Sequence, residues 1–230
     1  ELLHNATLVH DDIQDGDTMR RGQPTVWKRY GVAQGINAGD LLFMLAFQAL
    51  QQPTYGKADA ASLMQILAAG ATKVIRGQAL EIALRHQEKF AWETYESMTL
   101  LKTSAFFQMP ILGASLIARQ PLQQAEQLAK PFAALGLLFQ IQDDLLDLYG
   151  NKGREKPGSD LCEGKISALV VEHLRLHPRD RDWLLNILRK PYDQTTSADI
   201  DQARRRFERG ATGAVLKRVQ ALLSAFEQDP

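Results

Sequence analysis

The sequence predicts an all-α protein, and three observations carry that prediction. Apolar residues recur at helical spacing along almost all of the 230 residues, and no stretch alternates convincingly as a half-buried strand would. One pattern, DDxxD, occurs twice, as Asp11, Asp12 and Asp15 and again as Asp143, Asp144 and Asp147, each time beside an otherwise apolar segment. Beyond these motifs there is no internal repeat, low-complexity tract or linker-like stretch, so a single domain over 1–230 is expected.

The spacing predicts a first helix over 1–18 that carries the first aspartate cluster, ending before Gly22 and Pro24. Helices over 32–50, 58–88 and 91–118 come next, then one over 122–149 that carries the second cluster. Pro110 and Pro131 mark points where two of them kink. Residues 150–164, rich in Gly, Lys and Pro, read as a mobile loop. A P-loop is excluded there, because Ile166 follows Lys165 where Ser or Thr is required. Four shorter helices are expected from there to the C-terminus. His173 and His177 stand four apart like a zinc pair, but HLRLH lacks the glutamate of a metalloprotease helix and a third ligand, so surface helix positions are expected.

Composition narrows the functional classes. Basic and acidic residues both number 27, so no overall field favours nucleic acid or an anionic membrane. The lone cysteine, Cys162, excludes an intrachain disulfide and fits a reducing cytoplasm. No uninterrupted apolar run approaches the roughly 18 residues of a bilayer span. A soluble, cytoplasmic protein with neither a membrane span nor a nucleic-acid partner is expected.

The aspartates point to metal and phosphate. On a helix the first and last aspartates of each cluster project from one face, one turn apart. A solvated acidic face explains one such cluster, but two copies in apolar settings call for a cation that neutralises them. Oxygen-only ligands on rigid helices suit Mg²⁺, which keeps several waters and bridges to substrate phosphates. A di- or triphosphate held between two carboxylate walls is implied. Arg20 and Arg21 follow the first cluster closely, and guanidinium forks bind phosphate oxygens bidentately. Lys102, Lys156 and Lys165 are further cationic candidates, although each alone would pass for a surface lysine.

The strings LLHNATLVHDDIQDGDTMRRGQPT, GQALEIAL, LKTSAFF, GLLFQIQDDLLDLYG and KPGSDLCEGKIS stand in the order and approximate spacing of trans-type isoprenyl diphosphate synthases, and the chain resembles the geranylgeranyl and longer-chain branch of that family over almost its whole length. The resemblance implies the isoprenoid synthase fold, a single bundle of antiparallel helices around a central apolar cavity, with about three Mg²⁺ ions and a homodimer built on the helices over 32–64. It implies head-to-tail condensation of isopentenyl diphosphate with an allylic diphosphate (dimethylallyl, geranyl or farnesyl). Asp11, Asp15 and Asp143 match the principal metal ligands, and Asp12, Asp144 and Asp147 match ligands or their supports. Arg20, Lys102, Thr103, Gln140 and Lys156 match contacts to the allylic diphosphate, with Lys165 nearby. His4 and Arg21 match contacts to isopentenyl diphosphate. Gln78 resembles a glutamine lining the allylic site, although Glu81 stands where some relatives carry Asp.

The implied chemistry is ionisation of the allylic carbon–oxygen bond, with the departing diphosphate stabilised by metal, Arg20, Lys102 and Lys156. Ala6 and Thr7, five and four positions before Asp11, are small where farnesyl-length relatives carry aromatics, so a product of at least twenty carbons is expected and Ala6→Phe should shorten it. The family's Gly-Gly-Lys-Arg type motif normally lies upstream of the first aspartate cluster, and the sequence starting at Glu1 is expected to be part of a longer protein. Two alternatives stay open: a class I terpene cyclase, and a non-catalytic subunit of a heteromeric synthase.

Overall fold

The computed structural model describes residues 1–51, 57–87, 89–150 and 157–228. These are helical almost throughout, and they group into two compact units, one of 1–51, 57–72 and 109–129, the other of 73–87, 89–108, 130–150 and 157–228.

In the first unit, α1 (Leu2–Asp15) ends earlier than the spacing predicts, because Gly16 turns left-handed and closes the helix. The strandless expectation needs one correction. Residues 19–24 form a two-stranded hairpin, β1 (Met19–Arg20) and β2 (Gln23–Pro24), with Arg20 opposite Gln23. Its two-residue turn has Arg21 at φ 52° and Gly22 at φ 75°, the doubly positive geometry that matches strand twist. A short helix α2 (Val26–Tyr30) and the long α3 (Val32–Ala49) follow. Helix α1 beds on α3 at two glycines. A Cβ at Gly35 would lie 2.8 Å from Ile13 Cδ1, and one at Gly39 would overlap the His10 ring. The first part of α4 (Lys57–Leu84) and the second part of α6 (Ala105–Ile117) belong to this unit, as does α7 (Leu122–Ala129).

In the second unit, α5 (Trp92–Thr99) runs through a π-helical turn, Leu100–Ser104, into α6, where a straight helix was expected. Pro110 sits inside α6, six residues beyond the π-turn. The helix expected over 122–149 is two helices, α7 and α8 (Phe132–Tyr149), because Pro131 lacks the N–H that continuation needs and caps α8 instead. Among the described residues a one-turn helix, α9 (Ser159–Cys162), precedes the four shorter α-helices that were expected: α10 (Ala168–Leu176), α11 (Arg181–Leu188), α12 (Ser197–Phe207) and α13 (Ala211–Gln228). Helix α9 occupies part of the expected loop, and residues 151–156 of that loop lie outside the described residues. A continuous apolar core joins Leu84, Leu137 and Ile141 to Leu169, Leu184, Phe207 and Val215.

Two expectations change here. His173 is not a surface residue: it is 1% exposed, bonds Asp180 at 3.0 Å and packs on Phe207 and Trp183, because its face of α10 turns into the core. The continuous helical stretch Trp92–Ile117 has the length and mean hydropathy, 1.3, of a membrane span. Its apolar residues are interrupted by Glu93, Glu96, Lys102, Thr103, Ser104 and Gln108, so no uninterrupted apolar run spans it. At its centre Lys102 pairs with Glu81, Thr103 bonds Gln140 and Ser104 bonds the Ala133 carbonyl, the pattern of a helix packed in protein.

Candidate functional site

The first aspartate cluster stands at the C-terminal end of α1. Asp11 is half-buried, whereas Asp12 and Asp15 are buried. Asp12 Oδ1 accepts from Arg20 Nε at 2.6 Å, and Asp17 lies 3.7 Å from the same guanidinium. The hairpin explains this pairing: it folds β1 back onto the end of α1, anchored where Thr25 Oγ1 and Trp27 Nε1 both donate to the Asp17 carbonyl. Burial pushes the Asp12 carboxyl up to about 6, against the pull of Arg20. Arg21, at the hairpin tip, is exposed. His4 is exposed two turns before Asp11, its imidazole held below its ordinary pKa by desolvation, with Arg20 and Arg21 also disfavouring the cation.

The two small residues of α1 part company in the structure. Ala6 is fully buried and shares the stripe of His10 and Ile13, the residues that bed on α3. Thr7 is half-buried on the face of Asp11, its hydroxyl donating to the His4 carbonyl at 2.8 Å.

The second cluster divides its labour. Asp144, 5% exposed, accepts from Tyr95 Oη at 2.8 Å, Gln140 Nε2 at 3.0 Å and the Ala168 amide at 2.7 Å. Asp147 accepts from Ser159 Oγ at 2.5 Å and the Asp160 amide at 3.1 Å. These bonds tie α8 to the starts of α9 and α10. Asp143 alone of the three is half-buried and not buried. Burial, with Asp160 nearby, raises the Asp144 carboxyl to about 7 despite its three donors.

Lys102 and Thr103 sit on the π-turn. Lys102 Nζ is 2.5 Å from Glu81 Oε2, and Thr103 Oγ1 donates to Gln140 Oε1 at 2.8 Å. Gln78 is half-buried one turn before Glu81 on α4. Lys165 is half-buried and pairs with Glu163 at 2.5 Å. Lys156 lies outside the described residues. The structure therefore joins Thr103, Gln140 and Asp144 in one chain of hydrogen bonds and pairs Arg20 with Asp12. Sequence reasoning missed Tyr95, whose only signal was its place seven residues, two helical turns, before Lys102.

Among the described residues no three His, Cys, Asp or Glu side chains converge into a ready-made metal cage. The donor set still fits Mg²⁺. Asp11 and Asp15, one turn apart on α1, and separately Asp143 on α8, are hard oxygen donors of the kind Mg²⁺ takes, since it is held through one or two carboxylates with water and phosphate completing the shell.

Residues 1–206 match the family described as polyprenyl synthetase. The chain is 38% identical over 191 residues to a short chain isoprenyl diphosphate synthase of Methanocaldococcus jannaschii, covering 82% of this chain and 58% of that protein. It is 34% identical over 174 residues to a geranylgeranyl diphosphate synthase of Methanosarcina mazei, covering 74% and 53% respectively. The chain thus spans a little over half the length of these curated relatives. A crystal structure of a geranylgeranyl pyrophosphate synthase superposes with a TM-score of 0.88 at 26% identity, covering 99% of this chain and 71% of the other. With the match extending over most of its length and an all-α isoprenoid synthase fold, the chain belongs to the polyprenyl synthetase family of trans-prenyltransferases.

Proposed function

We propose that the protein condenses isopentenyl diphosphate head-to-tail with an allylic diphosphate, giving a trans-polyprenyl diphosphate of twenty carbons or more. The observation that carries this reading is the family match spanning both aspartate clusters, each of which keeps one aspartate only half-buried: Asp11 in the first, Asp143 in the second. Asp11, Asp15 and Asp143 would hold Mg²⁺, which when bound neutralises diphosphate charge and so lowers the barrier to its departure. Arg20, fixed by Asp12, directs its remaining N–H groups to phosphate oxygens. Lys102 exchanges Glu81 for the allylic diphosphate, and Thr103 and Gln140 line the same turn. Lys156 and Lys165 add positive charge from the segment after α8. His4 and Arg21 orient isopentenyl diphosphate so that its double bond attacks the allylic cation left when the carbon–oxygen bond breaks, after which the new cation loses a proton to the departing diphosphate. Apolar side chains exclude the water that would quench the cation.

Product length is read at Thr7, which shares the Asp11 face; Ala6 lies on the stripe bedded against α3. Thr7→Phe should therefore shorten the product, whereas Ala6→Phe should act first on the packing of α1. The protein works as a homodimer through the exposed apolar face of α3, where Val32, Ile36, Leu41 and Met44 are each at least 45% exposed.

The test is a Mg²⁺-dependent assay with labelled isopentenyl diphosphate and geranyl or farnesyl diphosphate, with products resolved by length. Products of twenty carbons or more support the reading. A fifteen-carbon stop overturns the assigned length, and no incorporation with either primer overturns the condensation in favour of a cyclase or a silent subunit.

A further inference from the structure

Four side chains run in series from the buried interior of the second unit to the turn that carries Lys102. Tyr95 on α5 is 1% exposed and packs beside Trp92, ring centroids 5.2 Å apart. Its hydroxyl donates to Asp144 Oδ2, the oxygen that also accepts from the Ala168 amide. The other oxygen of Asp144 accepts from Gln140 Nε2, and Gln140 Oε1 accepts from Thr103 Oγ1.

The chain has a direction. Asp144 accepts at Oδ2 from two donors and at Oδ1 from the amide nitrogen of Gln140, which leaves the amide oxygen facing Thr103. Thr103 then gives its single proton inward and turns its lone pairs outward. A phosphate oxygen, itself an acceptor, meets that hydroxyl through a donor such as water. The backbone end of the series is fixed separately. A Cβ at Gly77 would lie 2.7 Å from Lys102 Cα, and one at Gly136 would lie 2.5 Å from Ser104 Oγ, so α4 and α8 grip the π-turn from two glycine contacts. With the turn's backbone set this way, what remains adjustable is the direction of the Thr103 hydroxyl.

We propose that Tyr95, buried in the interior, is a positioning residue: through Asp144 and Gln140 it sets the direction of the Thr103 hydroxyl at the diphosphate-binding turn. This rests on the reading above that the turn binds the allylic diphosphate. Burial and the adjoining Asp144 hold the Tyr95 phenol well above its ordinary pKa, so it remains a donor across the working range. Removing that donor leaves Asp144 Oδ2 held by the Ala168 amide alone, so the carboxylate can pivot about that bond, which loosens the Gln140 amide and lets the threonine hydroxyl rotate.

The test is a double-mutant cycle on the full chain with Tyr95→Phe, Thr103→Val and both together. Binding of inorganic diphosphate with Mg²⁺ is read by calorimetry, and steady-state kinetics are read alongside. Thr103→Val should weaken diphosphate about 10-fold and Tyr95→Phe about 5-fold, while the double variant should be no more than about 2-fold weaker than Thr103→Val. KM for the allylic diphosphate should rise, with KM for isopentenyl diphosphate unchanged. Gln140→Leu, which cuts the chain at its middle link, must show the same non-additivity with Thr103→Val, and it serves if Tyr95→Phe fails to fold. Losses that multiply independently, or a fall in kcat alone, overturn the positioning role. If the wild type binds diphosphate without condensing, the functional reading falls and the cycle still decides this one. If it binds none, both fall.

Discussion

Replacing Gly77 with alanine sets two effects against each other. Alanine in a helix interior is favoured over glycine by about 1 kcal/mol. Opposing it, the new Cβ would lie 2.7 Å from Lys102 Cα and closer still to the Lys102 backbone nitrogen, where ordinary contact begins at 3.4 Å, so α4 and the π-turn must part by about 1 Å. Overpacking of this kind costs typically about 1–3 kcal/mol. The net destabilisation is therefore about 0–2 kcal/mol, a Tm loss of no more than about 8 °C for a chain of this size. The effect on the site should be larger, because a shift approaching 1 Å at Lys102 lowers kcat/KM for the allylic diphosphate on the order of 10–100-fold. Thermal melts and steady-state kinetics on the same preparation separate the two. Unchanged kcat/KM, or an activity loss that merely tracks the unfolded fraction, would refute the idea that this glycine places the turn.

Three further outcomes are expected. Asp144→Ala strands the Tyr95 hydroxyl, the Gln140 amide and the Ala168 N–H and should destabilise by about 3 kcal/mol or more, whereas Asp143→Ala, at a half-buried position, should lower the melting temperature less. Asp143→Ala should instead abolish the stabilisation given by Mg²⁺ with diphosphate, so melts with and without that pair distinguish the two aspartates. Gly213→Ala, in the first turn of α13 with open space around it, should raise stability by up to about 1 kcal/mol without touching activity, measured by denaturant titration. Asp199 bonds Lys190 and caps α12 through Thr196, which holds its carboxyl down to about 2. Because the folded value is depressed, its contribution is fully present above the ordinary carboxylate pKa of about 4 and is lost as pH falls toward 2. Acid titration of Lys190→Met should show a smaller loss over that window than the wild type.

The long helices were legible because burial imposes its period on many residues at once, as in α3, where predicted and observed bounds nearly coincide. Features set by one residue or by a distant neighbour were not. The hairpin depends on Arg21 adopting a positive φ, which a non-glycine residue rarely advertises. The break before α8 follows from Pro131, visible in the sequence, but whether a proline kinks or ends a helix depends on what packs around it. The π-turn is held by Gly77 and Gly136, 25 and 32 positions from the residues they touch, so no local pattern announces it. The clusters themselves stood out at once. Their division was hidden, since all six aspartates look alike until α8 turns Asp144 and Asp147 toward α9 and α10 and leaves Asp143 outside.

The seat of α1 on α3 reaches beyond packing. Gly35 and Gly39 carry no polar side chain, yet the space they leave is filled by Ile13 and His10, the latter the immediate neighbour of Asp11. Any larger residue there displaces the carboxylates as surely as a change in the aspartates would. The mutational footprint of the site thus extends to residues that no ligand map would include. Thr7 lies off that seat, on the Asp11 face, so a larger side chain there leaves in place the helix that holds the charge.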